Sequence, residues 1–185
     1  MKIIKMFVVS IGLLYLYGCA SGAKMENMAH TDVVVTPRAY DAALKNGVEV
    51  ASVTGGEETN PAWTSEIGNE EFSGAVKQSL ASQGLLAETG RYQLQIELKE
   101  VDQPMFGFDM TVTTHVRYVL TDSQNSTVIF DDTLAAAHTA TVSDAFVAIK
   151  RLQMANEGAG KKNIEALLKK LSELKISTNQ VSVVD

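Results

Sequence analysis

Two stretches of period-two alternation limit what this chain can fold into. Over residues 91–100, Tyr92, Leu94, Ile96 and Leu98 alternate with Arg91, Gln93, Gln95, Glu97 and Lys99. Over 109–121, Met110, Val112, Val116, Tyr118 and Leu120 alternate with Asp109, Thr111, Thr113, His115 and Arg117. Successive side chains of a strand point to opposite faces, so each run has one apolar and one polar face. Two such runs in succession predict an antiparallel sheet covered on one side only. A third run, 127–142, alternates less cleanly, and the polar residues 122–126 between the second and third suit a hairpin turn.

The sheet needs a cover, and two helical patterns supply it. Asn69 followed by Glu70 and Glu71 has the form of an N-cap with acidic residues in the first turn. Phe72, Val76 and Leu80 then repeat on one face, and Gly84 ends the helix so that Leu85 and Leu86 turn back to the core. From Ser143, a plausible N-cap, a second pattern runs to about Leu174 with Ile149, Leu152, Ile164, Leu167, Leu168, Leu171 and Leu174 as its apolar stripe. Gly158 and Gly160 fall inside it. Glycine there costs about 1 kcal/mol relative to alanine, so the pair marks a bend or a close contact, and one long helix is preferred to two. Of the apolar runs at 32–36 and 48–53, the latter is the better strand for the main sheet, because Pro37 ends the former. Trp63, before the first helix, reads as a core or staple residue. The resulting order is β-α-β-β-β-α, an α+β domain over residues 32–175 with two helices on one face of a mainly antiparallel sheet.

The amino terminus carries a different message. Lys2 and Lys5 precede a twelve-residue apolar stretch, 6–17, too short to span a bilayer as a helix but of the length of a secretory leader. Leu16, Tyr17, Gly18 and Cys19 then look like a bacterial lipobox, with Tyr17 bulkier than its usual occupant. Cys19 is the only cysteine in the 185 residues, which excludes an internal disulfide or a multi-cysteine zinc site and leaves it free for lipid attachment. Ala20 follows it in place of the Asp that commonly signals inner-membrane retention. The resemblance to lipoproteins thus implies a leader over 1–18, a lipidated Cys19, and an outer-membrane location facing the periplasm. Residues 20–31 are small, polar and aperiodic and read as a flexible tether containing an isolated His30; residues 176–185 read as a polar tail. Losing the leader takes the net charge from -6 to -8, so the body meets neither nucleic acid nor anionic lipid by charge.

Catalytic signatures are sparse. There is no Gly-x-Ser-x-Gly elbow and no His-Glu-x-x-His. The segment 158–162 fails as a phosphate loop, since Ala155 stands where its first glycine belongs and Lys162 where a Ser or Thr should hold magnesium. His115, on the polar face of its strand, and His138, on the apolar side of the next, read as structural histidines, and no cofactor or metal set is expected. Adjacent acidic pairs such as Asp131 and Asp132 point opposite ways on a strand, although the weakened alternation there could mark a bulge. Two surfaces remain as candidates. One is the loop 103–108, where Met105, Phe106 and Phe108 stand in place of polar turn residues, either as a patch for a partner or membrane or with Met105 or Phe108 folded back onto the core. The other is the Thr-rich outer sheet face with Thr111, Thr113, His115, Arg117 and Thr133.

Asn60 to Ser65, Phe72, Ser79 and Leu80, the strand 116–122, Ala155 to Glu157, and Asn163 and Ile164 before Leu167 and Leu168 together resemble a group of small Gram-negative lipoproteins. Members are sometimes labelled UDP-N-acetylglucosamine acyltransferase, but such transferases are built of hexapeptide repeats, and none occurs here. The element order also resembles, at the level of fold, the LPS-assembly lipoprotein and the N-terminal domain of TolB. The function expected is non-enzymatic binding or scaffolding of another envelope component, with an envelope protein as the expected partner. The alternatives are an enzyme acting on a lipid or sugar donor and a small-ligand carrier.

Overall fold

The apolar rows of the two alternating runs lie along the inner face of one four-stranded sheet. The computed structural model describes residues 21–31, 38–60 and 64–176. The leader, Cys19, the run 32–36, Trp63 and tail residues 177–185 lie outside the described residues. The strands are β1 (Val48–Thr54), β2 (Tyr92–Asp102), β3 (Met110–Asp122) and β4 (Thr127–Ala140), in spatial order β1-β2-β3-β4. β1 pairs with β2 in parallel and the other pairings are antiparallel, as hairpin connections require. The helices are α1 (Met25–Met28), α2 (Asn69–Ser82) and α3 (Ala148–Glu173), with a 3-10 turn at Ala42–Leu44.

Burial alternates along β3 from Met110 to Asp122 without a break. Tyr92, Leu94, Val116, Tyr118 and Leu120 meet Phe72, Val76 and Leu80 of α2 and Ile164, Leu167, Leu168 and Leu171 of α3 in one continuous core. A smaller cluster joins Met110, Val112 and Ala140 to Leu152, Ala155 and Ala159 of α3. The last turn of α2 closes as the sequence predicts. Gly84 has φ +66°, Leu85 N–H donates to the Leu80 carbonyl over 2.9 Å, and Leu85 is fully buried. The β3–β4 hairpin turns through Ser126 at φ 57°.

Four expectations are corrected. Residues 21–31 are packed rather than free: Met28 is fully buried, as nearly are Ala23 and Ala29, and α1 lies against α2 and α3. Asn69 opens α2 without capping it, because its Oδ1 accepts from Gly56 N–H at 2.8 Å, across the chain. α3 begins at Ala148, not near Ser143, because Thr141 N–H and Oγ1–H both donate to the Asp144 carboxylate (2.7 and 2.8 Å) and hold 141–144 as a turn. The irregularity of β4 falls at Ile129, which the register skips between Val128 and Phe130, and not at Asp131 and Asp132. Those two do point opposite ways, Asp131 to Arg117 on the outer face and Asp132 to Lys170 of α3.

Both glycines of α3 mark close contacts in an unbroken helix. A Cβ at Gly158 would fall on the His138 ring, and one at Gly160 would lie 2.8 Å from Met28 Sδ. Where β2 begins and β3 ends, the Arg91 guanidinium grips the Asp122 carboxylate with two bonds of 2.9 and 2.6 Å and holds it below its ordinary value of 3.8. A carboxylate with a lowered folded pKa contributes stability that is whole above that ordinary value and is lost as pH falls through the folded one. Asp122→Asn should therefore flatten the decline of melting temperature below about pH 4, readable by calorimetry.

Candidate functional site

The outer face of β3 and β4 is flat and polar. Thr111 and Thr139 share a hydroxyl hydrogen bond of 2.8 Å across the strands, and His115 lies opposite Glu100 on β2 and Ala135 on β4. Thr113 and His115 are half-exposed, and Thr133, Ala135, Ala137 and Thr139 are exposed along the edge strand. Arg117 is not free to receive a ligand charge. It donates from Nε and Nη2 to Asp131 (2.8 and 2.6 Å), which raises its own pKa and lowers that of the carboxyl. His138 lies on the other face, against Gly158, where burial first and then the Lys162 charge lower its pKa. The two histidines therefore belong to separate surfaces and form no pair.

At one end of the sheet the β2–β3 and β4–α3 loops lie together. Among the described residues, eight large hydrophobic side chains are exposed, and six are in these loops: Met105, Phe106, Phe108, Val142, Phe146 and Val147. Met105 is 95% exposed, Phe106 86%, Phe108 85% and Phe146 91%, so neither Met105 nor Phe108 folds back onto the core. A single buried residue joins the loops. Arg151 of α3 donates through Nη1 to the carbonyls of Ala145 and Phe146, both at 2.8 Å, and through Nη2 to Gly107 at 3.4 Å. The sequence shows the first loop as an oddity. Phe146 and Val147 escape notice because they sit where the α3 pattern was expected to continue, and Arg151 because an arginine in a helix usually faces water.

Beside this end is a cleft of about 670 Å³ with an apolar side of Ile67, Leu98, Val101, Pro104, Met105 and Leu152, and a polar side that includes Glu57, Glu66, Lys99, Glu100, Asp102 and Gln103. Gln103 Nε2 donates to Glu66 Oε2 at 2.7 Å. Burial nevertheless holds the Glu66 carboxyl above the usual range, against hydrogen bonds from Thr64 and Gln103.

The amino-terminal segment is clasped next to the cleft. Ala23 N–H donates to the Glu66 carbonyl (2.9 Å), Ser65 Oγ–H to the Ser21 carbonyl (2.8 Å), Gln153 Nε2 to the Gly22 carbonyl (2.8 Å), and Lys24 N–H to Glu157 Oε1 (3.1 Å). Asn156, fully buried, donates to the Ser65 carbonyl from below. Ser65 and one stretch of α3 thus fix the chain from Ser21, the second residue after Cys19. A further buried group, Asn163, accepts from Tyr118 Oη–H (2.8 Å) and donates to the carbonyls of Thr114 (3.2 Å) and Leu134 (2.9 Å). Thr114 is a polar residue in an otherwise apolar inward row, which is the sequence signal of this network. Among the described residues no three His, Cys, Asp or Glu side chains gather to hold a metal ion, and no helix is long and apolar enough to cross a membrane.

No family model and no curated protein matches the sequence. Among solved structures, the chain is similar to a DUF330-family protein of Xanthomonas campestris, with 12% identity and a TM-score of 0.54 over 80% of this chain and 91% of that one. It is similar also to a hypothetical protein of Chlamydia trachomatis, with 13% identity and a TM-score of 0.50 over 69% and 96%. At such identities the likeness is one of fold, and with the DUF330 protein it extends along most of both chains.

Proposed function

We propose that this chain is a lipid-anchored protein of the bacterial cell envelope. It is held through Cys19 on the periplasmic side of the outer membrane and acts by binding another envelope component rather than by catalysis. The observation that carries this reading is the junction itself. An apolar leader ends at the chain's single cysteine, and two residues later the backbone is fixed by Ser65, Gln153 and Glu157. Several acyl chains on one cysteine hold a protein stably, at about 0.8 kcal/mol per buried methylene, where charge at -8 would not. The outer face around Thr113, His115 and Ala135, covered by no helix among the described residues, is the surface offered to a partner.

The first test is fractionation of envelopes. Wild type should sediment with membranes and Cys19→Ser should move wholly to the soluble periplasmic fraction; equal distributions of the two would refute the anchor. For the partner, photo-crosslinking residues placed at Thr113 and Ala135 in intact envelopes should give discrete adducts, and their absence at both positions would remove the scaffold reading. The cleft favours a second reading, a carrier of a small apolar ligand with one polar group near Glu66. A lipid co-purifying at one per protein, and lost in Leu98→Trp, would favour that carrier instead.

A further inference from the structure

We infer that the two apolar loops form a second membrane contact, inserting Phe106, Phe108 and Phe146 into the lipid surface that carries the anchor. The inference rests on the anchor reading above. Three observations combine in it. First, the exposed aromatics among the described residues are concentrated: all three project from the two loops at one end of the sheet, and the same loops carry exposed Met105 and Val147. Solvated loops are ordinarily built of Gly, Asn, Asp, Ser and Pro, and a contiguous apolar patch marks a surface that water does not occupy in use. Second, the patch is built to hold its shape. Buried Arg151 ties the carbonyls of Gly107, Ala145 and Phe146 together, and Met110, Val112, Ala140 and Leu152 form a small core behind it.

The third observation names the occupant. Gly22 is hydrogen-bonded to Gln153, and about 8 Å of helix separates Gln153 from Ala148, at the foot of the second loop. Ala23 is bonded to Glu66, whose side chain is bonded to Gln103, at the foot of the first. Cys19 lies three residues before Gly22, a reach of about 10 Å when fully extended. The clasp limits the reach of Cys19 to that distance, so the acyl chains enter the bilayer beside the two loops and this end of the body faces the lipid. With a net charge of -8 after leader removal, attraction to anionic headgroups cannot seat it, and apolar insertion is the force available. Interfacial aromatics of this kind add affinity by burying rings at headgroup depth, each contributing roughly tenfold. The gain here is orientation: the lipid holds the protein, and the loops fix which way it stands.

The test uses the full-length mature lipoprotein in vesicles of phosphatidylethanolamine and phosphatidylglycerol. Thioether formation removes the native thiol at Cys19, so Phe106→Cys, Phe146→Cys and, as a control on the outer sheet face, Thr133→Cys can each be labelled at one place with an environment-sensitive fluorophore. All three positions are exposed, so the core is untouched. The expected result is blue-shifted emission at 106 and 146, quenched several-fold more strongly than at 133 by nitroxide-labelled acyl chains and unchanged at high salt. Protein that sediments with vesicles but shows no lipid quenching at either loop overturns the insertion while leaving the anchor intact. Blue-shifted emission without lipid quenching overturns it in favour of a protein partner or a second copy. Protein that still labels at Cys19 and stays in the aqueous phase refutes the anchor, and the insertion with it.

Discussion

Replacing Asn163 by alanine should destabilise the domain by about 3 kcal/mol, since each buried polar group left without a partner costs roughly 1–3 kcal/mol. The side chain joins three elements: it accepts from Tyr118 of β3 and donates to the backbone of Thr114 and of Leu134 on β4. Tyr118 and Asn163 are both fully buried, so no water replaces the lost partner. Burial already pushes the Tyr118 phenol far up, so it remains a neutral donor throughout the accessible pH range. In a domain of this size the loss amounts to a fall in melting temperature of about 6–12 °C. A double-mutant cycle isolates the network. Asn163→Leu combined with Tyr118→Phe should recover about 1 kcal/mol of the cost of Asn163→Leu alone, because the orphaned hydroxyl is gone. Simple additivity in denaturant titrations would mean that the two side chains are not coupled.

Gly158→Ala should lower stability by about 2 kcal/mol although alanine is the better helix former by about 1 kcal/mol. The new methyl group would occupy the place of the His138 ring, which is half-buried between β4 and α3. Two variants separate the terms. In a His138→Ala background the same Gly158→Ala change should become stabilising by about 1 kcal/mol, a reversal of sign that only a steric cause produces. Gly160→Ala should cost less than Gly158→Ala, because its obstacle is the Met28 thioether, on a flexible side chain able to repack. A Gly158→Ala protein as stable as wild type would show that the ring moves aside freely.

The parts of this fold legible in the sequence are those where burial on one face imposes a period. β2 and β3 fall within two residues of their expected ends because nearly every inward position is apolar and nearly every outward one polar. α3 was legible in extent but not in start, since Asp144 is taken by Thr141 and not by a helix terminus. Non-local pairing hid the rest. Met28 is one apolar residue in a polar stretch and has no period of its own; it is buried because Gly160, far along the chain, leaves it room. Asn156 and Asn163 occupy apolar-looking positions on α3, and their role appears only when Ser65, Thr114 and Tyr118 are set opposite them. The candidate surface was half legible: 103–108 stood out in composition, but its joining to 146–147 depends on Arg151.

The clasp has a consequence for the order in which the molecule is made. It bonds residue 22 to 153 and 24 to 157, sequence separations of 131 and 133. Contacts of such range form late, since the intervening chain must already be arranged before they repay the closure entropy. A chain made amino end first has Ser21 to Met28 in place long before α3 arrives. The strands, most of whose pairings are hairpins, can assemble meanwhile. The last element delivered is then one of those that seal the first, and any truncation before α3 leaves Gly22 and Lys24 without Gln153 and Glu157.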